Sequence, residues 1–170
     1  GVGTEGMDPK DVSALIRGPE GSALTMRVEG RDGSERQLEI ERRDLLVPSV
    51  RRVRMVDETR KIGYLVLTSF SNVSVLEFDA AVSSLQTEGM QALILDLRSN
   101  RGGVLRSAVE IASRFIPDGV ITSTEGRGTP HYERADAELA YYAGLPLVVL
   151  VDGSSASASE VLAGALQDHR

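Results

Sequence analysis

Leu147-Val-Val-Leu-Val151 runs into Asp152-Gly-Ser-Ser-Ala-Ser157-Ala-Ser-Glu160, and the reading of this stretch decides the fold. Five consecutive apolar residues between Pro146 and Asp152-Gly153 have the length and unbroken hydrophobicity of a buried strand. The segment that follows reads as a helix continuing to the C-terminus. A strand that feeds a helix through a loop of small residues is the grammar of an α/β fold.

Working upstream, the same alternation recurs. Ile62 to Leu67 reads as a strand, Val75, Phe78, Val82 and Leu85 fall on one face of a helix, and Ala92 to Leu97 reads as a second strand. A glycine loop follows, then a helix carrying Leu105, Ala108, Ile111 and Ala112, then a strand near Val120. From Ser123 to Ala140 the chain is polar without clear period, and Gly126-Arg-Gly128 suggests a flexible excursion.

Before about Leu45 the pattern is different. Asp8-Pro9 supplies an N-cap and a first helical residue, Val12, Leu15 and Ile16 share a helical face, and Gly18-Pro19 ends it. Leu24, Met26 and Val28 then alternate with polar residues, Arg31-Asp32-Gly33 turns, and Leu38 and Ile40 alternate again, which makes a hairpin. One helix and one hairpin, about 45 residues, are too few to bury a stable core alone, so more of this unit is expected upstream. The expected organisation is therefore α/β: an open sheet with helices over residues 45–170, preceded by a helix and hairpin over residues 1–44.

Composition narrows the function classes. The chain has 170 residues, 41% hydrophobic and 26% charged, within the globular range. No apolar run reaches the roughly 18 residues of a spanning helix. The net charge is −6 without a basic block or interleaved aromatics, so nucleic acid is not an expected partner. With no cysteine and only His131 and His169, neither a metal centre nor a cofactor is expected.

In an open α/β sheet the crevice beyond the C-terminal strand ends is where chemistry sits. Two loops lead there. In Asp96-Leu-Arg-Ser-Asn-Arg-Gly-Gly103 the paired glycines let backbone approach a ligand and aim N–H groups at developing charge, although a plain turn needs nothing more. In Asp152 to Glu160 a serine stands at the positive end of a helix, where N–H groups can hold an oxyanion. Ser157-Ala-Ser-Glu160 is equally a capping box, which requires no catalysis. The G-x-S-x-G elbow is absent.

Taken in order, these blocks resemble one family, the carboxyl-terminal processing proteases. Thr4-Glu-Gly-Met-Asp8, Asp11-Val12 and Leu15-Ile-Arg-Gly-Pro19 resemble the second half of its PDZ domain, and Val47-Pro-Ser-Val50 resembles the join to the protease core. Gly63-Tyr-Leu65, Ser69-Phe70, Leu95-Asp-Leu-Arg98, Asn100 to Gly103 and Pro146 to Gln167 resemble successive blocks of that core. The most specific is Ser155-Ala-Ser-Ala-Ser-Glu-Val-Leu-Ala-Gly-Ala-Leu166. The resemblance implies a serine endopeptidase that cleaves near exposed C-terminal tails of protein substrates. It implies Ser157 as nucleophile, with the N–H groups of Ala158 and Gly103 as oxyanion donors, and Ser155 and Ser159 as structural. An extracytoplasmic setting follows from the resemblance alone, and homo-oligomerisation stays open.

There are departures. The family's general base is a lysine a couple of dozen residues beyond the serine, expected past Arg170, and neither Lys10 nor Lys61 matches that motif. Arg101 stands where proline commonly precedes the paired glycines. Two rivals remain: a peptide-binding homologue without catalysis, and a hydrolase using Asp96, His131 and Ser157 as a triad.

Overall fold

The computed structural model describes residues 2–43 and 47–169. The chain divides into two compact units, Gly1–Val47 and Pro48–Arg170. The boundary expected between residues 44 and 45 falls on residues outside those described.

In the first unit, helix α1 spans Pro9–Ile16, with the Asp8 carboxylate accepting the Lys10 N–H at 2.8 Å as its cap. Strands β1 (Ala23–Glu29) and β2 (Glu35–Glu41) form an antiparallel hairpin in which Leu24 faces Ile40 and Met26 faces Leu38. The alternating pattern predicts this register because facing apolar side chains share one side of the ribbon. Arg42 fastens hairpin to helix, donating from Nε to the Ile16 carbonyl at 2.7 Å.

The second unit is an α/β sheet of order β3-β4-β5-β8, with β3 antiparallel to β4 and the other neighbours parallel. Its elements are β3 (Val50–Asp57), β4 (Ile62–Leu67), α2 (Ser74–Thr87), β5 (Ala92–Asp96), α3 (Leu105–Ser113), β6 (Val120–Thr124), β7 (His131–Arg134), a 3-10 turn Ala137–Leu139, β8 (Leu147–Leu150) and α4 (Ala158–Asp168). Period-two burial on β4 puts Leu65 and Leu67 inside, while Tyr64 and Val66 on the other face are half-buried. Leu93 and Leu95 of β5 continue the inner face, and Phe78, Val82 and Leu85 of α2 share the same core. Each such side chain contributes about 1.5–3 kcal/mol by leaving water. Phe78, Phe115 and Tyr142 meet in a ring cluster with centroids 5.7–6.4 Å apart. Beside it Arg114 forms a fork with Asp79, 2.8 Å at its closest.

Two sequence expectations are corrected, and one strand was not read from the sequence. The polar stretch after Ser123 is not simply an excursion, because His131–Arg134 pairs with β6 as an antiparallel ribbon. His131 and Tyr132 are both exposed, so the ribbon leaves no alternation for a pattern to reveal. Strand β3 was also hidden, because a register shift between Arg51 and Arg54, with Arg52 at φ 55°, breaks its period. Finally, β8 is a strand but not a buried one. It lies at the sheet's end among the described residues, and Val148 and Val151 are 54% and 53% exposed.

Candidate active site

Strands β5 and β8 are parallel neighbours in register from Leu93 with Leu147 to Asp96 with Leu150, so their following loops leave the same sheet edge. These are the two loops singled out in the sequence, and hydrogen bonds knit them together. Ser99 N–H donates to Asp152 Oδ1 at 2.9 Å and Ser99 Oγ to Asp152 Oδ2 at 3.1 Å. Ser155 Oγ donates to the Leu97 carbonyl at 2.8 Å, and Ala156 N–H to the Asn100 carbonyl at 3.1 Å. The Ser99 N–H, first among several donors, holds the Asp152 carboxyl below its usual range, so this clasp stays ionised at neutral pH.

Ser157 is the N-cap of α4, with φ 55° and ψ −117°. A non-glycine residue there sits outside the ordinary basins at a cost of about 1–3 kcal/mol, which the surrounding structure must impose. The loop has the sharp strand-to-helix turn of a nucleophile elbow without the glycines that usually mark one. The capping box is also real. Ser157 N–H donates to Glu160 Oε2 at 2.6 Å, while the reciprocal contact of the serine side chain with the helix backbone falls short of a full hydrogen bond.

This arrangement sorts the three serines. Ser159 is fully buried, its Oγ donating to the Asn100 carbonyl at 2.9 Å, and Ser155 binds the neighbouring loop. Ser157 alone is exposed. Its helix-start donors are sorted as well. Ser159 N–H donates to Ala156 O at 3.1 Å and Val161 N–H to Ser157 O at 3.1 Å, leaving Ala158 N–H without a partner among the described residues.

Across from the serine lies the glycine pair. Phe70 N–H donates to Gly102 O at 3.0 Å and Val104 N–H to Phe70 O at 2.9 Å, which zips Gly102-Gly103 alongside Phe70. Both glycines have positive φ, 94° and 139°. A Cβ on Gly102 would lie 2.8 Å from Ser157 Cβ and 2.9 Å from Ala158 N, so the two loops touch at Ser157 itself. Gly102 N–H is taken by Asn100 Oδ1 at 2.9 Å, whereas Gly103, an exposed residue, has an N–H with no partner among the described residues.

The structure does not assemble the rival triad. Asp96 accepts from Arg98 Nε and Nη2 and from Tyr64 Oη, the closest contacts at 2.6 Å. The Arg98 guanidinium, aided by Tyr64 against the cost of burial, holds the Asp96 carboxyl down at about 2. His131 pairs with Glu133 on the β6–β7 ribbon, and His169 Nε2 lies 2.9 Å from the Val120 carbonyl at the far end of α4. Lys10 lies in α1 of the first unit, and Lys61 reaches toward Glu88 O and does not hydrogen-bond to Ser157. Among the described residues no cluster of three acidic or histidine side chains could hold a metal. Sequence reasoning missed Asn100 and Phe70 as scaffolding. A buried amide and a main-chain carbonyl leave no periodic mark.

Comparison with known proteins places these features in one lineage. A carboxy-terminal-processing protease of Bartonella bacilliformis is 37% identical over 161 residues, covering 91% of this chain and 36% of its own length. A carboxyl-terminal-processing protease of Synechocystis sp. is 34% identical over 174 residues, covering 100% of this chain and 40% of its own length. Among solved structures, a photosystem II D1 C-terminal processing protease superposes with a TM-score of 0.65 at 28% identity, over 99% of this chain and 47% of its own. The chain thus spans less than half the length of each of these relatives. Peptidase family S41 matches residues 61–170, the stretch that carries both loops and the strained serine. On that match and those identities, the chain belongs to peptidase family S41.

Proposed function

We propose that the protein is a serine endopeptidase in which Ser157 attacks the scissile carbonyl and the N–H groups of Ala158 and Gly103 stabilise the oxyanion. The observation that carries this reading is the geometry of Ser157: exposed, held at φ 55°, and pressed against Gly102 beside two unengaged amides. Ser157 Oγ forms the bond to carbon and its proton passes to a general base. The tetrahedral intermediate then expels the amine, which takes that proton, and water releases the acyl group by the same steps in reverse. Each oxyanion donor is worth roughly 3 kcal/mol of barrier.

The base in this reading is a lysine outside the 170 residues, forming a serine-lysine dyad. Family resemblance supports it, as does the absence of any basic side chain bonded to Ser157 among the described residues. The helix and hairpin of residues 1–44 read as the second half of a PDZ-like domain, which captures a substrate's C-terminal tail by strand addition and a carboxylate nest. Protein substrates with exposed C-termini and an extracytoplasmic setting complete the proposal.

The deciding experiment uses the full-length protein and an unfolded test protein with a free C-terminus. Ser157→Ala abolishes cleavage, and His131→Ala leaves it unchanged. Full activity of Ser157→Ala overturns the nucleophile, and loss of activity in His131→Ala restores the triad. A wild-type protein that binds the tail without cutting it is a binding module instead.

A further inference from the structure

We propose that Asn100 is the positioning residue of the oxyanion site, fixing both donors at once; this rests on the reading of Ser157, Ala158 and Gly103 given above. Asn100 is fully buried, and all of its polar groups are used. Its N–H donates to Leu97 O at 3.1 Å, and Nδ2 donates to Leu67 O at 2.8 Å, at the end of β4. Oδ1 accepts the Gly102 N–H at 2.9 Å. The backbone carbonyl accepts twice, from Ala156 N–H at 3.1 Å and Ser159 Oγ at 2.9 Å.

The placement of these contacts is what assigns the role. Residues 156 and 159 bracket Ser157 and Ala158, so one carbonyl pins the nucleophile and its adjacent donor from both sides. The side chain grips the peptide just before Gly103, and Phe70 holds the carbonyl of Gly102. With its own N–H given to Oδ1, Gly102 is removed from the set of candidate donors and Gly103 N–H is left for substrate. The Asp152 clasp to Ser99 and the Ser155–Leu97 bond also join the loops, but neither touches a residue next to Ala158 or Gly103, as the Asn100 bonds to Ser159 and Gly102 do. The distance between the two oxyanion donors is thus set largely by one amide.

The chemistry also explains the residue type. The side chain must accept from Gly102 and donate to Leu67 within one rigid, short group, and only a carboxamide does both. Aspartate keeps the acceptor but loses the donor and brings in a buried charge. Leucine keeps the volume and leaves two buried polar groups without partners. A preorganised donor pair matters because stabilisation depends on where the oxyanion develops, and slack between the donors is felt mainly in the transition state.

The test compares wild type, Asn100→Ala, Asn100→Asp and Ser159→Ala in the full-length protein. Thermal melting first identifies the variants that fold. Asn100→Ala lowers kcat by about 10²-fold with KM within about twofold, the signature of an interaction used in the transition state. Affinity for a peptide boronate, which forms a tetrahedral adduct on the serine, falls in parallel with kcat/KM. Ser159→Ala, which removes only one of the two contacts to the carbonyl, produces a smaller drop of the same kind. If Asn100→Ala does not fold, Asn100→Asp is judged by the same criteria.

A folded Asn100 variant with wild-type kcat and boronate affinity overturns the proposal. So does one whose loss lies entirely in KM. Ser157→Ala is run alongside: if it stays active the nucleophile itself is wrong, whereas an inert Ser157→Ala beside a fully active Asn100→Ala sinks the positioning role alone.

Discussion

Ser157 N–H and the Glu160 carboxylate meet at 2.6 Å across the first turn of α4. The S-x-x-E pattern is open to two readings, a cap or a nucleophile; the structure forms the cap, and the proposed nucleophile is the same serine. The box engages the serine's backbone N–H directly, while its side chain makes only a looser contact with the helix backbone, and the residue is exposed.

Glu160→Ala therefore removes a helix cap and loosens Ser157, the proposed nucleophile, together. The expected cost is about 1 kcal/mol of stability, measured by denaturant unfolding. A several-fold fall in kcat at near-constant KM accompanies it in the full-length enzyme, and Glu160→Gln, which keeps an acceptor, restores most of both. Unchanged stability in Glu160→Ala refutes the cap.

Gly102→Ala places a methyl group 2.8 Å from both Ala156 O and Ser157 Cβ, at a residue whose φ of 94° already disfavours a side chain. Loss of about 2 kcal/mol or more is expected. Turnover falls to the level of Ser157→Ala, because the loops can relieve the clash only by separating. A well-folded, active Gly102→Ala enzyme excludes so close an approach in solution.

Much of this site was legible beforehand, and the limits have physical causes. The hydrophobic runs at Ile62–Leu67, Ala92–Asp96 and Leu147–Leu150 marked their strands because each needs an apolar face for the core. The glycine pair and the small-residue loop were readable because close backbone approach excludes larger side chains. Strand β7 was not, since both faces of its ribbon meet water. The strain at Ser157 was equally invisible, being imposed by neighbouring loops rather than by the serine's own preferences.

That strain can be measured. Glycine reaches φ 55°, ψ −117° as readily as its mirror image, whereas alanine suffers the same clash as serine. Ser157→Gly is expected to be inactive yet about 1 kcal/mol more stable than Ser157→Ala. Equal stabilities in calorimetry remove the strain from the account.

Asp96 provides a pH signature. Its folded pKa near 2 lies below the ordinary 3.8, so its contribution is complete above about pH 4 and is lost as pH falls toward 2. The shift corresponds to about 2 kcal/mol. Asp96→Asn should lower stability by that order at pH 7 and flatten the acid limb of the stability profile between pH 4 and 2. An unaltered acid limb means that Arg98 and Tyr64 do not hold this carboxylate in solution.

The exposed edge of β8 bears on how this 170-residue stretch behaves when produced by itself. Val148 and Val151 face water, and beyond β8 the sheet has no further strand among the described residues. Unpaired main-chain groups beside bare valines accept any extended chain that passes, including another copy at high concentration. Colloidal instability is the expected outcome: precipitation that worsens with protein concentration while the melting temperature stays the same. A single gatekeeper charge, Val148→Lys, should slow it without touching Ser157 or the loops around it.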